Sequence, residues 1–343
     1  MKSTQINQRR KRLNNTNMTI RAFYRATKVE NAQPPYDTIH LKVFYPGKIS
    51  EGEMEINQEM IPVDSQHSPF PVVIFLSGFN CHPQMYEWLA VELSERGLVV
   101  VTFSWVEENF PGKVNMTPGI NFQFWKPDNY GKGSSSSTLP TIIAELDRLN
   151  SEGILAGMLD LEKIILGGHS AGGRIAMENA DPRFFPQVAA AFVYGTTSVA
   201  PVMLGYEPGK ILPLPDSRPL LLIGGTCDGS IAKMNPHNGF PQDATISVEQ
   251  TFARAISGGR NDSYLLLLEG ANHFTISDPF DFTTAKPFFD FPATQPEDEI
   301  RSLMAETIGL FIDAHVRQQS TASDQLKELL NNGHPLIKSL ERK

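Results

Sequence analysis

Ile164-Ile165-Leu166-Gly167-Gly168-His169-Ser170-Ala171-Gly172-Gly173 is the stretch that decides the fold. Its β-branched, apolar start predicts a buried strand, and the residues from Arg174 to Asn179 predict a helix. Ser170 lies between them with a glycine two residues before it and another two residues after it. This is the G-x-S-x-G pattern of a sharp strand-to-helix turn that presents a nucleophilic serine. The pattern therefore predicts a nucleophile at Ser170, and an ordinary glycine-rich turn in another kind of α/β protein is the alternative.

A serine nucleophile needs two partners, because a neutral hydroxyl attacks poorly without a base. In a site of this kind the acid and then the histidine follow the serine along the chain, on loops after later strands. Asp228 follows the apolar run 219–225, and His273 follows the apolar run 264–268. We expect His273 to accept the serine proton and Asp228 to hold the imidazole in the useful tautomer. Taken singly, these residues would be an ordinary turn aspartate and a solvated histidine.

Attack on a carbonyl also requires fixed hydrogen-bond donors where negative charge develops. One expected donor is the backbone N–H of Ala171, directly after the serine. The other is the backbone N–H of Phe79, in the loop after the apolar run 72–76, where Gly78 allows a tight turn. A side chain of Asn80 or His82 is the alternative second donor.

Length and composition indicate one large α/β domain. The chain has 343 residues, of which 41% are hydrophobic, and its strand-like apolar runs alternate with helix-like segments. This alternation predicts a mostly parallel central sheet covered by helices on both faces, within a catalytic domain over residues 31–318. No stretch approaches the roughly 20 apolar residues that are needed to span a membrane.

Charge is distributed unevenly along the chain. Residues 1–30 contain eight Lys or Arg and one acidic residue, whereas the remainder contains 22 basic and 37 acidic residues, a net charge of −15. We expect residues 1–30 to form a basic, disordered leader, and weak contact with an anionic membrane surface or an organelle transit role is the alternative. Residues 319–343 are expected to form a tail with a short surface helix and a frayed end. The acidic body gives no support for nucleic-acid binding.

Cys81 and Cys227 are the only cysteines. So few thiols predict no disulfide framework and a reducing compartment, and we expect a cytoplasmic location. Cysteines, histidines and carboxylates do not show metal-ligand spacing, and there is no phosphate-binding glycine fingerprint. The expectation is therefore a site without a metal or another cofactor. The oligomeric state stays open.

Aromatic residues are frequent in the loops expected at the catalytic edge. Trp105, Phe124 and Trp125 lie in the long segment 105–137, and Phe274 directly follows His273. Long loops in a compact domain are usually functional, and loops at this edge of α/β sheets bind ligands. We expect these four residues to line an apolar pocket for a lipophilic acyl or alcohol group. Simple packing of the loops onto the body of the protein is the alternative.

Together these motifs resemble the α/β-hydrolase superfamily over about residues 37–316. The resemblance is carried by Val43-Phe44-Tyr45-Pro46, Pro71 to Phe79, Leu89 to Val101, the Ser170 turn, and the loops of Asp228 and His273. Within the superfamily the chain is most similar to compact esterases grouped around dienelactone hydrolase, chlorophyllase, platelet-activating-factor acetylhydrolase and bacterial cutinase-like polyesterases.

The resemblance implies an enzyme, a serine esterase that cleaves a lipophilic small-molecule carboxylic ester through an acyl-enzyme. Three alternatives are open. The same triad could serve an acyltransferase, the ester could be of the chlorophyllase or phospholipase type, or the scaffold could belong to a non-catalytic binding protein.

Overall fold

The computed structural model describes residues 18–30, 32–48, 61–283 and 290–343. Within these ranges the strands are β1 (Met18–Lys28), β2 (Thr38–Lys48), β3 (Phe70–Leu76), β4 (Val99–Ser104), β5 (Val106–Phe110), β6 (Lys113–Met116), β7 (Leu159–His169), β8 (Val188–Tyr194), β9 (Leu220–Gly225), β10 (Ser263–Leu268) and β11 (Ile337–Arg342). The helices are α1 (Glu87–Glu95), α2 (Leu139–Ser151), α3 (Ser170–Asn179), α4 (Gly229–Met234), α5 (Ile246–Ala255), α6 (Glu297–His315) and α7 (Ser320–Asn332).

Nine of these strands form one sheet, in the order β1-β2-β4-β3-β7-β8-β9-β10-β11. The six strands from β4 to β10 in this order are parallel to one another. At one side β2 and β1 add antiparallel strands, and at the other side β11 pairs antiparallel with β10. β5 and β6 form a separate hairpin. The prediction of an α/β fold with a mostly parallel central sheet is confirmed.

Helices cover both faces of the sheet because its strands bury side chains on both sides. Successive residues of a strand point to opposite faces. In β3, Val72 and Ile74 pack with α2, α3 and α5, whereas Val73 and Phe75 pack with α1, α6 and α7. Every residue of β3 is buried, so its sequence is a continuous apolar run rather than an alternating one.

None of the described helices combines the length and the apolar surface needed to cross a bilayer.

The strand order reverses at β3, which pairs with β4 on one side and with β7 on the other. The helix after β3, α1, packs on one face of the sheet, and the helix after β7, α3, packs on the other. The two connections therefore diverge at the carboxyl ends of β3 and β7 and leave a crevice, where α/β proteins bind ligands. The loop 77–80 and Ser170 both follow strands that end at this crevice.

The N-terminal segment differs from the expected disordered leader, because residues 18–28 form β1 and pair along their whole length with β2. The Arg25 guanidinium lies 2.9 Å from the carboxylate of Glu145 in α2, and the Phe23 ring packs on Tyr45 at 5.9 Å. Both anchors lie on one face of the strand, where a long basic side chain can cover apolar surface with its aliphatic stem. The high content of basic residues in this segment therefore led to a prediction of disorder where the structure has an edge strand. Residues 1–17 of the expected leader lie outside the described residues.

The C-terminal segment also differs in part from the predicted tail with a short helix and a frayed end. The expected helix is present as α7, but residues 337–342 form β11, paired with β10, instead of a frayed end. The Lys343 ammonium is bonded to the carbonyl oxygens of Phe252, Ala253 and Ile256 at 2.8–2.9 Å. The sheet therefore includes strands on both sides of the predicted 31–318 domain.

Candidate active site

Ser170 lies at the abrupt junction of β7 and α3. The strand ends at His169 and the helix begins at Ser170, whose φ angle is 53°. Left-handed backbone is uncommon for a residue other than glycine and is a local strain. The residue itself is only partly buried. The predicted strand, turn and helix are all present, with the serine at the turn.

The flanking glycines are required by close approaches of backbone. A Cβ atom on Gly172 would lie 2.2 Å from the carbonyl oxygen of Leu76 and 2.3 Å from that of Ser77. A Cβ atom on Gly168 would lie 2.6 Å from the carbonyl oxygen of Gly172. Carbon atoms do not approach backbone oxygens this closely, so the first turn of α3 packs against the end of β3 only when these positions lack side chains. This packing sets Ser170 beside the loop 77–80.

Asp228 and His273 form a buried pair. His273 Nδ1 lies 2.8 Å from Asp228 Oδ2, and the other oxygen, Oδ1, accepts the Ile231 N–H at 2.8 Å as the N-cap of α4. The carboxylate is therefore held at both oxygens by two different elements. Because an ionised carboxylate can only accept, Nδ1 of His273 carries a proton, and in the neutral ring Nε2 is free to accept another.

A second carboxylate, Asp290, lies beside this pair. Its Oδ1 accepts the N–H groups of Gly229 at 2.7 Å and Phe291 at 2.9 Å, and its Oδ2 accepts the N–H of Phe274 at 3.2 Å. Asp290 thus connects the start of α4 to the His273 loop. Sequence reasoning did not single it out, because the sequence before it shows no strand-like apolar run of the kind that precedes Asp228 and His273.

The two carboxylates set the electrostatics of His273. Burial acts to lower the pKa of His273, but the charge and hydrogen bond of Asp228, together with the charge of Asp290, raise it above its usual value. The pKa of Asp290 is raised by its own burial and by the charge of Asp228. The pair of acids therefore favours the protonated imidazolium.

The backbone N–H groups of Phe79 and Ala171 are not used by secondary structure. In the loop after β3, the Gly78 N–H donates to the Tyr86 hydroxyl at 3.4 Å and the Asn80 N–H donates to Met116 at 2.9 Å. The intervening Phe79 N–H has no acceptor in the described part of the chain. Ala171 lies in the first turn of α3, where N–H groups have no acceptor within the helix. Both groups are available to a ligand at the crevice.

The side chains considered as alternative donors each make hydrogen bonds to neighbouring segments. Asn80 Oδ1 accepts the Met116 N–H at 3.1 Å and Nδ2 donates to Asn115 at 3.3 Å, which joins the loop to β6. His82 Nδ1 accepts the Gln84 N–H at 3.2 Å. The contacts of Asn80 therefore favour the Phe79 N–H over its side chain, whereas the Nε2–H of His82 stays an alternative donor.

Ser170 and His273 both come just after parallel strands that end at the crevice. The ring of His273 lies 4.6 Å, between centroids, from the ring of His169, which directly precedes Ser170. Among the described residues, His273 bonds to Asp228 and His169, and no hydrogen bond joins it to the Ser170 hydroxyl. Hydrogen bonds between a nucleophile and its base are often long or poorly aligned in structures without substrate.

Trp105 and Trp125 lie in the core rather than at the crevice. Trp105 is 2% exposed, and its indole N–H donates to the Tyr36 carbonyl at 2.8 Å. Trp125 is 8% exposed, and its indole N–H donates to the Glu178 carboxylate at 2.7 Å. A buried indole contributes a large apolar area and needs one acceptor for its N–H, and both conditions are met here. The two tryptophans thus fasten the segment 105–137 onto the body, and their placement gives no support to a pocket role.

Phe124 and Phe274 each line a cavity of about 490 Å³. The cavity of Phe124 also touches Glu178, about 12 Å along the axis of α3 from Ser170. Phe274 packs edge-on against the His273 ring with centroids 5.2 Å apart, and its cavity continues to Phe280. Of the four expected pocket residues, Phe274 is therefore the one beside the His273 ring.

The described residues contain no group of three or more His, Cys, Asp and Glu side chains arranged to hold a metal ion. No protein-family model matches the chain, and a search of curated proteins finds no match. An assignment of function therefore depends on the geometry of the crevice.

Proposed function

We propose that this protein is a serine esterase with an α/β-hydrolase fold, which hydrolyses a lipophilic small-molecule carboxylic ester through an acyl-enzyme. The observation that carries the proposal is the strained φ angle of Ser170 at a strand–helix junction, on the sheet edge that also holds the Asp228–His273 pair. Residues held in left-handed backbone cluster at active sites, where the strain exposes a reacting group. The reversal of strand order at β3 supports the same fold.

In the proposed mechanism, the Ser170 oxygen attacks the ester carbonyl carbon while its proton passes to His273 Nε2. The carbonyl oxygen becomes an oxyanion that accepts hydrogen bonds from the N–H groups of Phe79 and Ala171. Asp228 stabilises the imidazolium that forms. Collapse of the intermediate breaks the ester C–O bond, and the leaving alcohol takes the proton from His273. Water then attacks the acyl-enzyme with His273 as base and releases the acid.

The lipophilic character of the proposed ester is supported by the phenylalanines after His273. Phe274 and Phe280 pack with centroids 5.0 Å apart, and Phe280 packs on Phe282 at 4.6 Å. Phe282 is 77% exposed. The three rings form an apolar group next to His273 that suits an apolar acyl or alcohol group. The cavity that they line is also bordered by charged side chains, those of Asp278, Asp290, Glu297 and Arg301. Two further members of this segment, Phe288 and Phe289, lie outside the described residues.

The burial of Cys81 argues against a thiol nucleophile at that position. Cys81 lies directly after the loop 77–80, and burial raises the pKa of its thiol to about 11, so it carries no thiolate near neutral pH. Both Cys81 and Cys227 are free thiols. Free thiols fit a reducing compartment, and we propose a cytoplasmic location.

A fluorophosphonate probe and a series of p-nitrophenyl esters of rising acyl length test the proposal. We expect wild-type protein and Ser151→Ala to label and turn over, and Ser170→Ala to do neither while keeping its thermal unfolding midpoint. Ser151 is a matched control because it is an exposed helical serine remote from the crevice. Labelling that persists in Ser170→Ala, or a wild type that neither labels nor hydrolyses any ester, would refute the proposal. Esters dominating the products at low concentrations of added alcohol would indicate an acyltransferase instead.

A further inference from the structure

His169, the residue directly before Ser170, is completely buried and bonded at both ring nitrogens. Nε2 lies 2.9 Å from the carbonyl oxygen of His273, and Nδ1 lies 2.9 Å from the Tyr86 hydroxyl. The Tyr86 oxygen also accepts the Gly78 N–H at 3.4 Å. His169 therefore stands between the loop that holds Phe79 and the loop that holds the proposed base.

The direction of this hydrogen-bond chain follows from the chemistry of its members. A carbonyl oxygen can only accept, so the proton of the His169 ring is on Nε2. Nδ1 is then an acceptor, and the Tyr86 hydroxyl donates to it. Burial lowers the pKa of His169 well below its ordinary value, and the charge of His273 lowers it further, so the ring stays neutral. The chain runs from the Gly78 N–H through Tyr86 and His169 to the His273 carbonyl.

The ring is also fixed by packing on several sides. A Cβ atom on Gly78 would lie 3.0 Å from His169 Nδ1, so the loop 77–80 touches the ring directly. The ring stacks on Tyr194 of β8 at 6.0 Å, and the Tyr194 hydroxyl donates to the carbonyl of Asn272. Consecutive carbonyls of the His273 loop are thus held by side chains at the ends of two neighbouring strands. Rotation of the His169 ring would break both of its hydrogen bonds.

We propose that His169 is a positioning residue, which fixes the Phe79 loop and the His273 loop relative to each other on either side of Ser170. It does so without contacting the substrate. The catalytic consequence rests on the proposed esterase function, because acyl transfer through Ser170 needs both the Phe79 N–H and the His273 base in fixed positions. The hydrogen-bond chain itself does not depend on that function and can be measured separately.

The first test measures the chain in full-length protein labelled with ¹⁵N-histidine. We expect His169, assigned by comparison with His169→Gln, to be the neutral Nε2–H tautomer throughout about pH 5 to 8. In Tyr86→Phe the Nδ1 resonance should shift, and amide hydrogen exchange should accelerate both at residues 78–79 and at residues 273–274. A matched control is Tyr264→Phe, which removes a hydroxyl bonded to His315 at 3.0 Å and should leave both loops unchanged. Titration of His169 within that pH range, or exchange that stays unchanged at the His273 loop, would overturn the proposal.

The second test measures the consequence for catalysis. We expect Tyr86→Phe to lower kcat about 10- to 100-fold, the effect of a small misplacement, with KM unchanged. His169→Gln keeps an N–H donor for the His273 carbonyl and should lose less than His169→Met, which keeps none. Equal losses in Gln and Met variants, or losses explained by unfolding alone, would indicate a merely structural histidine. A wild type that fails to label at Ser170 refutes the esterase, and the resonance and exchange measurements then still decide whether the chain exists.

Discussion

Replacement of Gly172 by alanine tests the packing that presents Ser170. The added methyl group would lie 2.2 Å from the Leu76 oxygen and 2.3 Å from the Ser77 oxygen, and both of these atoms belong to backbone. Ordinary contact begins near 3.4 Å, so the first turn of α3 has to retreat from β3 by about 1 Å. A displacement of about 1 Å at a reacting group lowers the rate about 10²-fold.

Gly173→Ala is the matched control in the same turn of the same helix. Its methyl group would lie 3.1 Å from both the Gly168 oxygen and Thr196 Cγ2, which requires a shift of only a few tenths of an ångström. Each substitution gains about 1 kcal/mol of helix propensity, whereas overpacking costs about 1–3 kcal/mol. We therefore expect Gly173→Ala to be nearly neutral in the free energy of unfolding and Gly172→Ala to lose about 1–2 kcal/mol.

The assay combines urea unfolding with kcat/KM on a p-nitrophenyl ester, corrected for the fraction of protein that labels with fluorophosphonate. Gly172→Ala should lose about 10²-fold in kcat/KM while Gly173→Ala stays within a few-fold of wild type. Two variants that behave alike, or a fully active Gly172→Ala, would show that the approach of α3 to β3 does not position Ser170.

Four further predictions concern the two acids, His273 and the buried indole. Asp228→Asn should fold normally, because asparagine caps a helix about as well as aspartate, and a circular-dichroism melt checks this. Its kcat should fall about 10⁴-fold in steady-state kinetics, because the amide favours the wrong tautomer of His273. Since a protonated His273 cannot act as base, kcat/KM should fall as pH falls through its raised pKa, so the acid limb lies above the ordinary histidine value of about 6.5. Asp290→Asn removes a charge that raises this pKa, so a pH profile whose acid limb fails to move to lower pH would contradict the electrostatic assignment. Trp125→Phe should lower the free energy of unfolding in urea by about 1–3 kcal/mol, because the Glu178 carboxylate loses a hydrogen-bond donor, and KM should stay unchanged. A raised KM would indicate that Trp125 contributes to the substrate pocket.

The neighbouring positions of Ser170, Asp228 and His273 could be predicted because each residue closely follows a buried parallel strand. The apolar runs that end at His169, Gly225 and Leu268 are visible in the sequence, and the carboxyl ends of parallel strands meet at one edge. The order of the apolar runs along the chain therefore predicted that these three residues share one edge of the sheet. The 2.8 Å contact between Asp228 and His273 agrees with that expectation.

The environment of the tryptophans could not be predicted in the same way. An aromatic residue in a long loop can face the core or the crevice, and the choice depends on which acceptor meets its N–H. The acceptors here are the carbonyl of Tyr36 and the carboxylate of Glu178, both distant in the chain from the tryptophans that they bond. Asp290 was missed because no strand-like apolar run precedes it in the sequence to place it at the same sheet edge.

Several residues at the crevice belong to the fold and to the site at once. Asp228 caps α4 with one oxygen and orients His273 with the other, and Gly172 allows the helix contact that presents Ser170. Because the same contacts fix the secondary structure and orient His273, the proposed esterase would need only the Ser170–His273 hydrogen bond to form when an ester binds. Asparagine at position 228 should therefore lower the rate without lowering the stability, since it keeps the helix cap and loses the charge. Alanine at that position removes both, and should lower the stability by about 1 kcal/mol as well as the rate.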